Sequence, residues 1–256
     1  MTSSRSFSTT GSYPPKEEKK SSGGAQEAIY WDFDAQKEVM GIVFGVTGVE
    51  EPAWRVVARA TSGYEVRRFP SCVSAAVPTH MSKNGNGGAF PILAGYIGVT
   101  SAAKNDGKQT IAMTAPVVQT PSVQNSFTSS SPIISTGYAS GDMTLEFLLP
   151  SSFREIGDCP KPHDGRIELR MCSEKYVAVA SFSGWCSENI VKQKLQDLIL
   201  KCKNDRLISD DQEVVWQLAQ YNPPFTIPQF RRNEVWVTLE GDKTEESILH
   251  ALSHNK

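Results

Sequence analysis

The chain has 256 residues, of which 39% are hydrophobic and 21% are charged, and its formal net charge is −2. These fractions are typical of a globular protein and exclude a wholly disordered or fibrous chain. Because the charge is nearly neutral and no apolar run approaches the roughly 20 residues that cross a bilayer, we expect a soluble protein with no nucleic-acid partner and no transmembrane segment.

The composition changes along the chain and divides it. Residues 1–28 hold almost nothing to bury and are predicted to be a disordered tail. Apolar residues return in a leader segment, 29–51, which precedes a domain at 52–240. Within that domain, the Ser-, Thr-, Pro- and Gly-rich stretch 119–141 separates two strand patterns and predicts a mobile hairpin loop. Residues 241–256 form a polar tail with room for a short helix.

Nine segments of the domain carry strand patterns. Residues 61–63 form a turn-compatible connection between the first two, which predicts a hairpin. Alternation is clearest at 143–149, where Leu145, Phe147 and Leu149 share one face, as in a half-buried strand. The predicted strands are 54–59, 64–69, 72–77, 110–118, 143–149, 166–171, 176–182, 213–220 and 233–239.

Two helices interrupt these strands. The first, at 90–98, has Pro91 in its first turn and Gly98 as a C-terminal stop. The second, at 187–203, has Ser187 as its N-cap. Apolar residues recur at helical spacing in both: Phe90, Leu93, Ala94 and Ile97 in the first, and Val191, Leu195, Leu198 and Cys202 in the second.

The order of these elements repeats. Strand, helix, strand, strand over 72–149 is followed by the same order over 176–239. Two such units, each with a sheet face to bury, combine into a curved sheet or distorted barrel that carries two helices. We therefore predict an α+β domain with a groove for a ligand between a helix and the concave sheet.

Cysteine content bears on the compartment. The chain has five cysteines, an odd number with no CxxC pair, which argues against a disulfide framework or a zinc cage and favours a reducing compartment. The N-terminus lacks an apolar signal core. We expect a cytoplasmic protein, with a plastid location as the alternative because residues 1–12 are rich in Ser and Thr.

Four separated motifs carry a family resemblance. They are YEVRRF at 64–69, IAMTAPV at 111–117, YNPPFTIP at 221–228 and FRRNEVWV at 230–237. Together they resemble the SOUL haem-binding protein family, in particular its plant and algal members. MGIVFG at 40–45 also resembles the start of some plant members, so the resemblance covers about 40–240.

This resemblance implies a distorted antiparallel β-barrel with two helices and a pseudo-two-fold βαββ repeat. It also implies reversible binding of haem or another tetrapyrrole in an open apolar cleft, without chemistry. The family places one wall of the cleft on the first helix and another on the loop before the last strand. Carried over, the helix wall is Phe90, Leu93, Ala94 and Ile97, and the loop wall is Tyr221, Phe225 and Thr226.

The chain departs from the family pattern at the cations. Animal members place basic residues on the first helix and in the loop, where they meet the propionate carboxylates of the ligand. The corresponding positions here are Gly87, Gly95 and Thr226. Arg231 and Arg232 are the nearest substitutes in sequence, and we include both among the predicted ligand-binding residues.

The residues themselves support a flat apolar ligand independently of the resemblance. The loop that holds Tyr221 and Phe225 is stiffened by two prolines, and rigid aromatics lose little entropy on binding. The alternative is that both rings simply cap the core. Met113 can face the cleft or the core, and we favour the core because methionine fills irregular gaps there.

Iron ligation has two candidates. His80 lies near the first helix, and Cys159 precedes a proline with His163 nearby, although an ordinary surface histidine and loop cysteine are the alternatives. His250 and His254 lie in the polar tail and are interpreted as a solvated pair. The family resemblance requires no axial protein ligand.

Enzyme signatures are not found in the sequence: it has no GxSxG elbow, no HExxH and no Cys-His pair with a third group. We therefore expect a non-catalytic carrier or buffer of haem or a related tetrapyrrole. The alternative is a regulatory or interaction protein that uses the same fold to sense another hydrophobic ligand or a protein partner, whose identity the sequence leaves open.

Overall fold

The structure is a computed structural model that describes residues 41–80, 88–99, 101–121 and 142–253. The predicted tail at 1–28 lies outside the described residues. The helices are α1 (Ala89–Ile97), α2 (Glu188–Asn204) and α3 (Glu245–Ser253). The strands are β1 (Arg55–Arg59), β2 (Glu65–Phe69), β3 (Cys72–His80), β4 (Val117–Pro121), β5 (Asp142–Leu148), β6 (Glu168–Cys172), β7 (Lys175–Phe182), β8 (Trp216–Gln220) and β9 (Asn233–Thr238).

All nine strands form one curled antiparallel sheet in the order β1-β2-β7-β9-β8-β4-β5-β3-β6. The two predicted units, β3-α1-β4-β5 and β7-α2-β8-β9, each fill three neighbouring positions in this order. Their inner strands, β4 and β8, pair at the middle of the sheet. The predicted α+β fold with a pseudo-two-fold βαββ repeat is thus confirmed.

The register defines this pseudo-symmetry residue by residue. A two-fold axis through the paired residues Val118 and Ala219 exchanges the two halves of the sheet. Glu146 pairs with Val118 and Glu234 pairs with Ala219, so the axis relates these two glutamates. The flanking strands are exchanged as well, because β2 precedes the first unit but pairs with β7, while β6 precedes the second but pairs with β3.

One face of the sheet packs under the helices. Since side chains alternate along a strand, Val235 and Val237 of β9 join the apolar cluster of α2, whereas Glu234 and Trp236 point to the concave face. In the other half, α1 packs with β3 and β5 through Leu93 and a corresponding apolar cluster. The apolar stripe of each helix therefore packs against the convex face of the sheet.

The ends of the two predicted helices agree with the sequence patterns. Gly98 is the C-cap of α1, where its φ of 85° suits glycine and its N–H donates to the Ala94 carbonyl. Ser187 is the N-cap residue of α2. Within the described ranges, each helix is too short or too polar to cross a membrane.

The predicted strand at 110–118 is wrong over most of its length. Residues 110–116 form an irregular connection, and β4 begins only at Val117. Pro116 cannot donate to a ladder, so the strand starts after this proline and does not end at it. Since β4 continues to Pro121, the predicted loop is left with 122–141, which lies outside the described residues.

Both flanking segments dock on the domain where they are described. Glu50 of the leader bridges Thr114, and its carbonyl accepts from the Ala115 N–H at 2.9 Å. At the other end, α3 is the short helix for which the C-terminal tail has room. Its Ile248 is fully buried in the α2 cluster, so α3 belongs to the core.

Replacing Ile248 tests the role of α3. We expect Ile248→Ala to lower the free energy of unfolding by about 2–5 kcal/mol, because it removes a buried side chain. The neighbouring Leu249 is exposed, and Leu249→Ala should change stability by less than about 0.5 kcal/mol. Urea denaturation measures both, and equal effects would contradict the docking of this helix.

Candidate ligand-binding site

A buried carboxylate organises the concave face. Glu234 in β9 is completely inaccessible to solvent. It accepts hydrogen bonds from side chains on β2, on β7, on β9 and around the end of β8. We call Glu234 and these five donors the Glu234 network: Arg67, Ser181, Tyr221, Arg232 and Trp236.

Short contacts satisfy both carboxylate oxygens of Glu234. Arg67 Nη1 lies 3.1 Å from Oε1 and from Oε2, and Trp236 Nε1 donates to Oε2 at 2.7 Å. The Tyr221 hydroxyl donates to Oε2 at 3.0 Å, and Arg232 Nε donates to Oε1 at the same distance.

This environment decides the ionisation of Glu234. Burial by itself would raise the pKa of the carboxyl, but the positive charge of Arg67 and the Trp236 hydrogen bond hold the pKa below its ordinary value. Burial, and next the negative charge of Glu234, raise the pKa of Tyr221. Glu234 is therefore an ionised carboxylate, and its donors are two cationic arginines and three neutral side chains.

Arg232, one of the two predicted partners for propionates, is engaged within the chain. Besides Glu234, its Nη1 contacts Glu51 Oε2 at 2.9 Å, and its guanidinium stacks 3.7 Å from the Tyr221 ring centroid. Arg67 stacks in the same way, 3.9 Å from the Trp54 ring centroid. The cations of the concave face thus stabilise the fold, with aromatic rings as second partners.

Arg231, the other predicted partner, holds the proline-rich loop together. Its guanidinium donates to the carbonyls of Thr226, at 2.8 Å, and of Pro224. It also stacks 4.1 Å from the ring centroid of Trp185, in the connection between β7 and α2. Arg231 thereby ties the loop to Trp185.

Around this loop, four aromatic side chains are exposed. Their exposed fractions are 63% for Phe225, 61% for Trp185, 50% for Phe44 and 45% for Phe230. The Phe44 and Phe230 rings meet edge to face with centroids 5.5 Å apart. We call these four residues the aromatic patch. Clustered exposed apolar side chains mark binding surfaces more often than isolated ones do.

Three chain segments build the aromatic patch through backbone contacts. The Ile227 N–H donates to the Val43 carbonyl at 3.1 Å, and the Gly184 N–H donates to the Pro228 carbonyl at 2.8 Å. Gly45 has a φ of 89°, and a Cβ there would lie 2.5 Å from the Phe230 carbonyl oxygen. Only glycine allows the leader to approach the loop this closely.

The predicted helix wall is mostly core. Leu93 and Ile97 are buried against β3 and β5, and Ala94 is buried as well. Phe90 is half-buried, with its ring 5.3 Å from that of Phe147. Met113 packs against the same cluster, which is the core interpretation favoured from sequence.

The predicted loop wall divides between two environments. Tyr221 lies in the concave-face cluster with Trp236, Phe225 is exposed, and the Thr226 hydroxyl donates to the Ile42 carbonyl at 2.8 Å. The helix-wall residues belong to a different buried cluster. The buried residues Leu93 and Ile97 of the helix wall and Tyr221 of the loop wall therefore lie in separate clusters.

The iron-ligand candidates are also placed apart from the patch. Cys159 packs against the α1 cluster, its Sγ donates to the Glu155 carbonyl at 3.8 Å, and burial raises its pKa. His163 contacts Asp106 at 3.2 Å. The side chain of His80 lies outside the described residues, as do Gly87 and His254. In the part of the chain described, no cluster of three or more His, Cys, Asp or Glu residues is placed to hold a metal.

A small cavity lies on the concave face between the network and β6. It has a volume of about 30 Å³, and Phe69, Lys175 and Trp236 are among its lining residues. Pockets that enclose drug-sized ligands have roughly 300–1,000 Å³. A macrocycle therefore does not fit here.

Glu234 is not among the site residues predicted from sequence, although it lies inside one of the quoted motifs. A signal was present in FRRNEVWV. Arg232, Glu234 and Trp236 alternate with Val235 and Val237, which places charged and aromatic residues on one face and valines on the other. A carboxylate between an arginine and a tryptophan on one strand face is a sign of a buried polar network.

The motifs agree with a comparison against known families. A family model described as SOUL heme-binding protein matches residues 49–238. The chain belongs to the SOUL heme-binding family. All four quoted motifs lie inside the matched range, and the family points to a haem-type ligand in general. No curated protein matches the chain in sequence.

Several solved structures are similar to this chain at low identity. The EcmrR C-terminal domain is 12% identical, with a TM-score of 0.42 over 69% of this chain and 98% of that chain. SAV2435 bound to tetraphenylphosphonium is 12% identical, with a TM-score of 0.35 over 70% and 94%. A hydrolase from Listeria innocua is 12% identical, with a TM-score of 0.40 over 68% and 91%.

Neutralising Glu234 tests the network. We expect Glu234→Gln to lower the free energy of unfolding by about 3–5 kcal/mol, since Arg67 and Arg232 then face no buried charge. Glu174 pairs with Arg68 at the surface at 2.8 Å, so Glu174→Gln should cost at most about 1 kcal/mol. Similar losses in urea denaturation of the two variants would contradict a special role for Glu234.

The same network predicts an acid dependence of stability. The folded-state pKa of Glu234 is lowered from its ordinary value of 4.5. Its contribution to stability is therefore complete above the unfolded-state pKa and is lost as the pH falls through the lower folded-state pKa. Between about pH 5 and pH 3, denaturation should show a smaller loss of stability in Glu234→Gln than in the wild type. Parallel curves would exclude this contribution.

Proposed function

We propose that the chain binds haem or a related tetrapyrrole reversibly, as a carrier or buffer, and performs no chemistry on it. Membership of the SOUL family supports the class of ligand. The observation that carries the proposal is the aromatic patch: four exposed rings on three segments that are held together by backbone hydrogen bonds. The cysteine content supports a reducing compartment, which we propose to be the cytoplasm, with the plastid as the alternative.

The patch suits a flat ring system. Rigid aromatic side chains present a large area at a small entropy cost, and stacked rings gain further from their quadrupoles. Two prolines and the Arg231 hydrogen bonds fix the loop before a ligand arrives. Arg231, stacked on Trp185, also supplies the positive charge that the propionates of a tetrapyrrole require.

The interior of the sheet is a poor alternative location. Its cavity of about 30 Å³ holds water-sized molecules, and the Glu234 network fills the space beside it. An open surface is consistent with reversible exchange of the ligand between proteins. The helix wall at Phe90 stays a prediction as a competing location, and variants distinguish it from the patch.

Ligand titration tests the proposal. We expect haemin and protoporphyrin IX to bind the purified chain at micromolar concentration, with a Soret shift and fluorescence quenching respectively. Similar affinities for both would show that an iron–protein bond contributes little. If neither ligand binds, the proposed function is wrong.

Variants locate the site. Trp185→Ala and Phe225→Ala should each weaken binding by about tenfold, which corresponds to about 1.4 kcal/mol. Leu200 is an exposed apolar residue of α2, and Leu200→Ala should leave binding unchanged. A loss confined to Phe90→Asp would move the site to the helix wall, and a loss confined to His80→Ala would favour iron ligation.

The patch is also the observation that favours a second candidate, an interaction protein. Exposed aromatic side chains are enriched where protein partners dock. Deleting residues 1–28 separates the two candidates: loss of a protein partner with intact tetrapyrrole binding supports the regulatory alternative. Unchanged partners after the deletion would leave the carrier function preferred.

A further inference from the structure

Two cysteines face each other across the edge of the sheet. Cys72 of β3 and Cys172 of β6 are directly paired in the antiparallel register. Opposite residues in such a ladder have Cα atoms about 4.5 or 5.5 Å apart. Both separations fall inside the range of about 4.4–6.8 Å that a disulfide bond spans. The two thiols are free, half-buried and close enough to share a hydrogen bond.

Both thiols line the small cavity on the concave face. Cys172 Sγ lies 3.5 Å from Ser74 Oγ, and the neighbouring Lys175 donates to Gln217 at 2.7 Å. A volume of about 30 Å³ accommodates one or two water-sized molecules. A reagent that reaches these thiols through the cavity must therefore be small.

The pseudo-two-fold axis explains why the cavity lies here. Cys172 occupies the position that Arg67 occupies in the other half, because Arg67 pairs with Val177 as Cys172 pairs with Cys72. In the half that contains β9, the Arg67 side chain fills the space beside Glu234. In the half that contains β5, the short Cys172 side chain leaves space beside Glu146, whose carboxylate is 3.6 Å from Arg170.

The groups around the two thiols shift their pKa values in opposite directions. The hydrogen bond from Cys72, and next the bond with Ser74, hold the pKa of Cys172 below its ordinary value, whereas burial and Glu146 oppose this. The pKa of Cys72 is raised, first by its hydrogen bond to Cys172 and then by burial. The charged groups that act on the pair are Lys175, Glu146 and Arg170. The directions of these shifts favour the thiolate at Cys172 and the protonated thiol at Cys72.

We propose that Cys172 and Cys72 form a dithiol that reacts with hydrogen peroxide. The Cys172 thiolate attacks one peroxide oxygen, so that an S–O bond forms, the O–O bond breaks and hydroxide leaves as water after taking a proton. The Cys72 sulfur then attacks the Cys172 sulfenic acid. An S–S bond forms, the S–O bond breaks, and the hydroxyl leaves with the Cys72 proton as a second water.

The electrons balance over these two steps. The two thiols lose two electrons in forming the disulfide, and the peroxide gains them in becoming water. A dithiol reductant reopens the bond by exchange through a mixed disulfide. The product is a covalent bond between β3 and β6 across the cavity.

The other cysteines provide internal controls. Burial raises the pKa of Cys159, of Cys186 to about 11 and of Cys202 to about 12. These three thiols should therefore be slower nucleophiles near neutral pH. The reaction at Cys172 should exceed that at Cys186 by about tenfold or more.

Peptide mapping of the full chain tests the proposal without any variant. Ligand-free protein is treated with one equivalent of hydrogen peroxide and digested without reductant. We expect a linked peptide pair containing Cys72 and Cys172, which dithiothreitol separates. Consumption of Cys159 or Cys186 before Cys172, or the absence of the linked pair, would overturn the proposal.

Matched variants identify the attacking sulfur. In Cys72→Ser the serine hydroxyl can still donate to Cys172, so a sulfenic acid should accumulate there and be trapped by dimedone. Cys172→Ser should show no trapping at Cys72, and Cys159→Ser should behave as the wild type. Trapping at Cys72 in Cys172→Ser would reverse the assigned roles and reject the mechanism.

The size of the oxidant is a further test. Cumene hydroperoxide is far larger than the cavity and should oxidise the pair at least about tenfold more slowly than hydrogen peroxide, because only a water-sized reagent fits. Equal rates would show that the thiols react from the open surface. Since tetrapyrrole binding is measured separately, failure here leaves the proposed function standing, and failure of ligand binding leaves the dithiol standing.

Discussion

The ionised carboxylate of Glu234, completely removed from solvent, is the constraint on which the concave face depends. Burying such a charge costs several kcal/mol unless hydrogen bonds and an opposite charge offset the loss of hydration. Here the offset comes from Trp236 on β9 itself and from two strands that are distant in sequence, through Arg67 on β2 and Ser181 on β7. A slip of one residue in any of these strands would turn its donor to the other face. The network therefore fixes the register of one half of the sheet, and through Tyr221 it also holds the start of the proline-rich loop.

Neither face of the sheet has room for a large apolar ligand in the part of the chain described. The concave face is occupied by the Glu234 network and a cavity of about 30 Å³, and the convex face is buried under α1 and α2. The four aromatic side chains of the patch are exposed where the leader and the β7–α2 connection meet the loop that Tyr221 and Arg231 hold. The fold of a member of the SOUL family thus supports an external aromatic patch, whose rings are positioned by a polar interior.

The periodicity of the sequence was sufficient to predict both helices, most of the strands and their order along the chain. The apolar spacing of α2 and the alternation at 143–149 gave the correct helix and strand, and their order gave the repeat. The segment 110–116 failed because its β-favouring residues precede Pro116, which prevents the ladder from starting earlier. The roles of side chains are harder to predict from sequence. The spacing of Leu93 and Ile97 suits a core and a ligand wall equally well, and in the structure both pack in a buried cluster with residues of β3 and β5. The hydrogen-bond partners of Glu234 could not be predicted without knowing which distant strands lie beside β9.

The two halves of the sheet that the pseudo-two-fold axis relates differ in the side chains around their buried glutamates. Glu146 and Glu234 are related by the axis, and both are buried carboxylates on the concave face. Arg67, which neutralises Glu234, has as its counterpart Cys172, and the nearest cation to Glu146 comes from the half-exposed Arg170 at 3.6 Å. One half therefore has a buried carboxylate paired with an arginine, and the other has two facing thiols that line the cavity. Breaking a buried ion pair by removing one partner is strongly destabilising, whereas two facing thiols can be joined by oxidation. The same architecture, duplicated within one chain, thus holds an ion pair in one half and, as we propose, an oxidisable dithiol in the other.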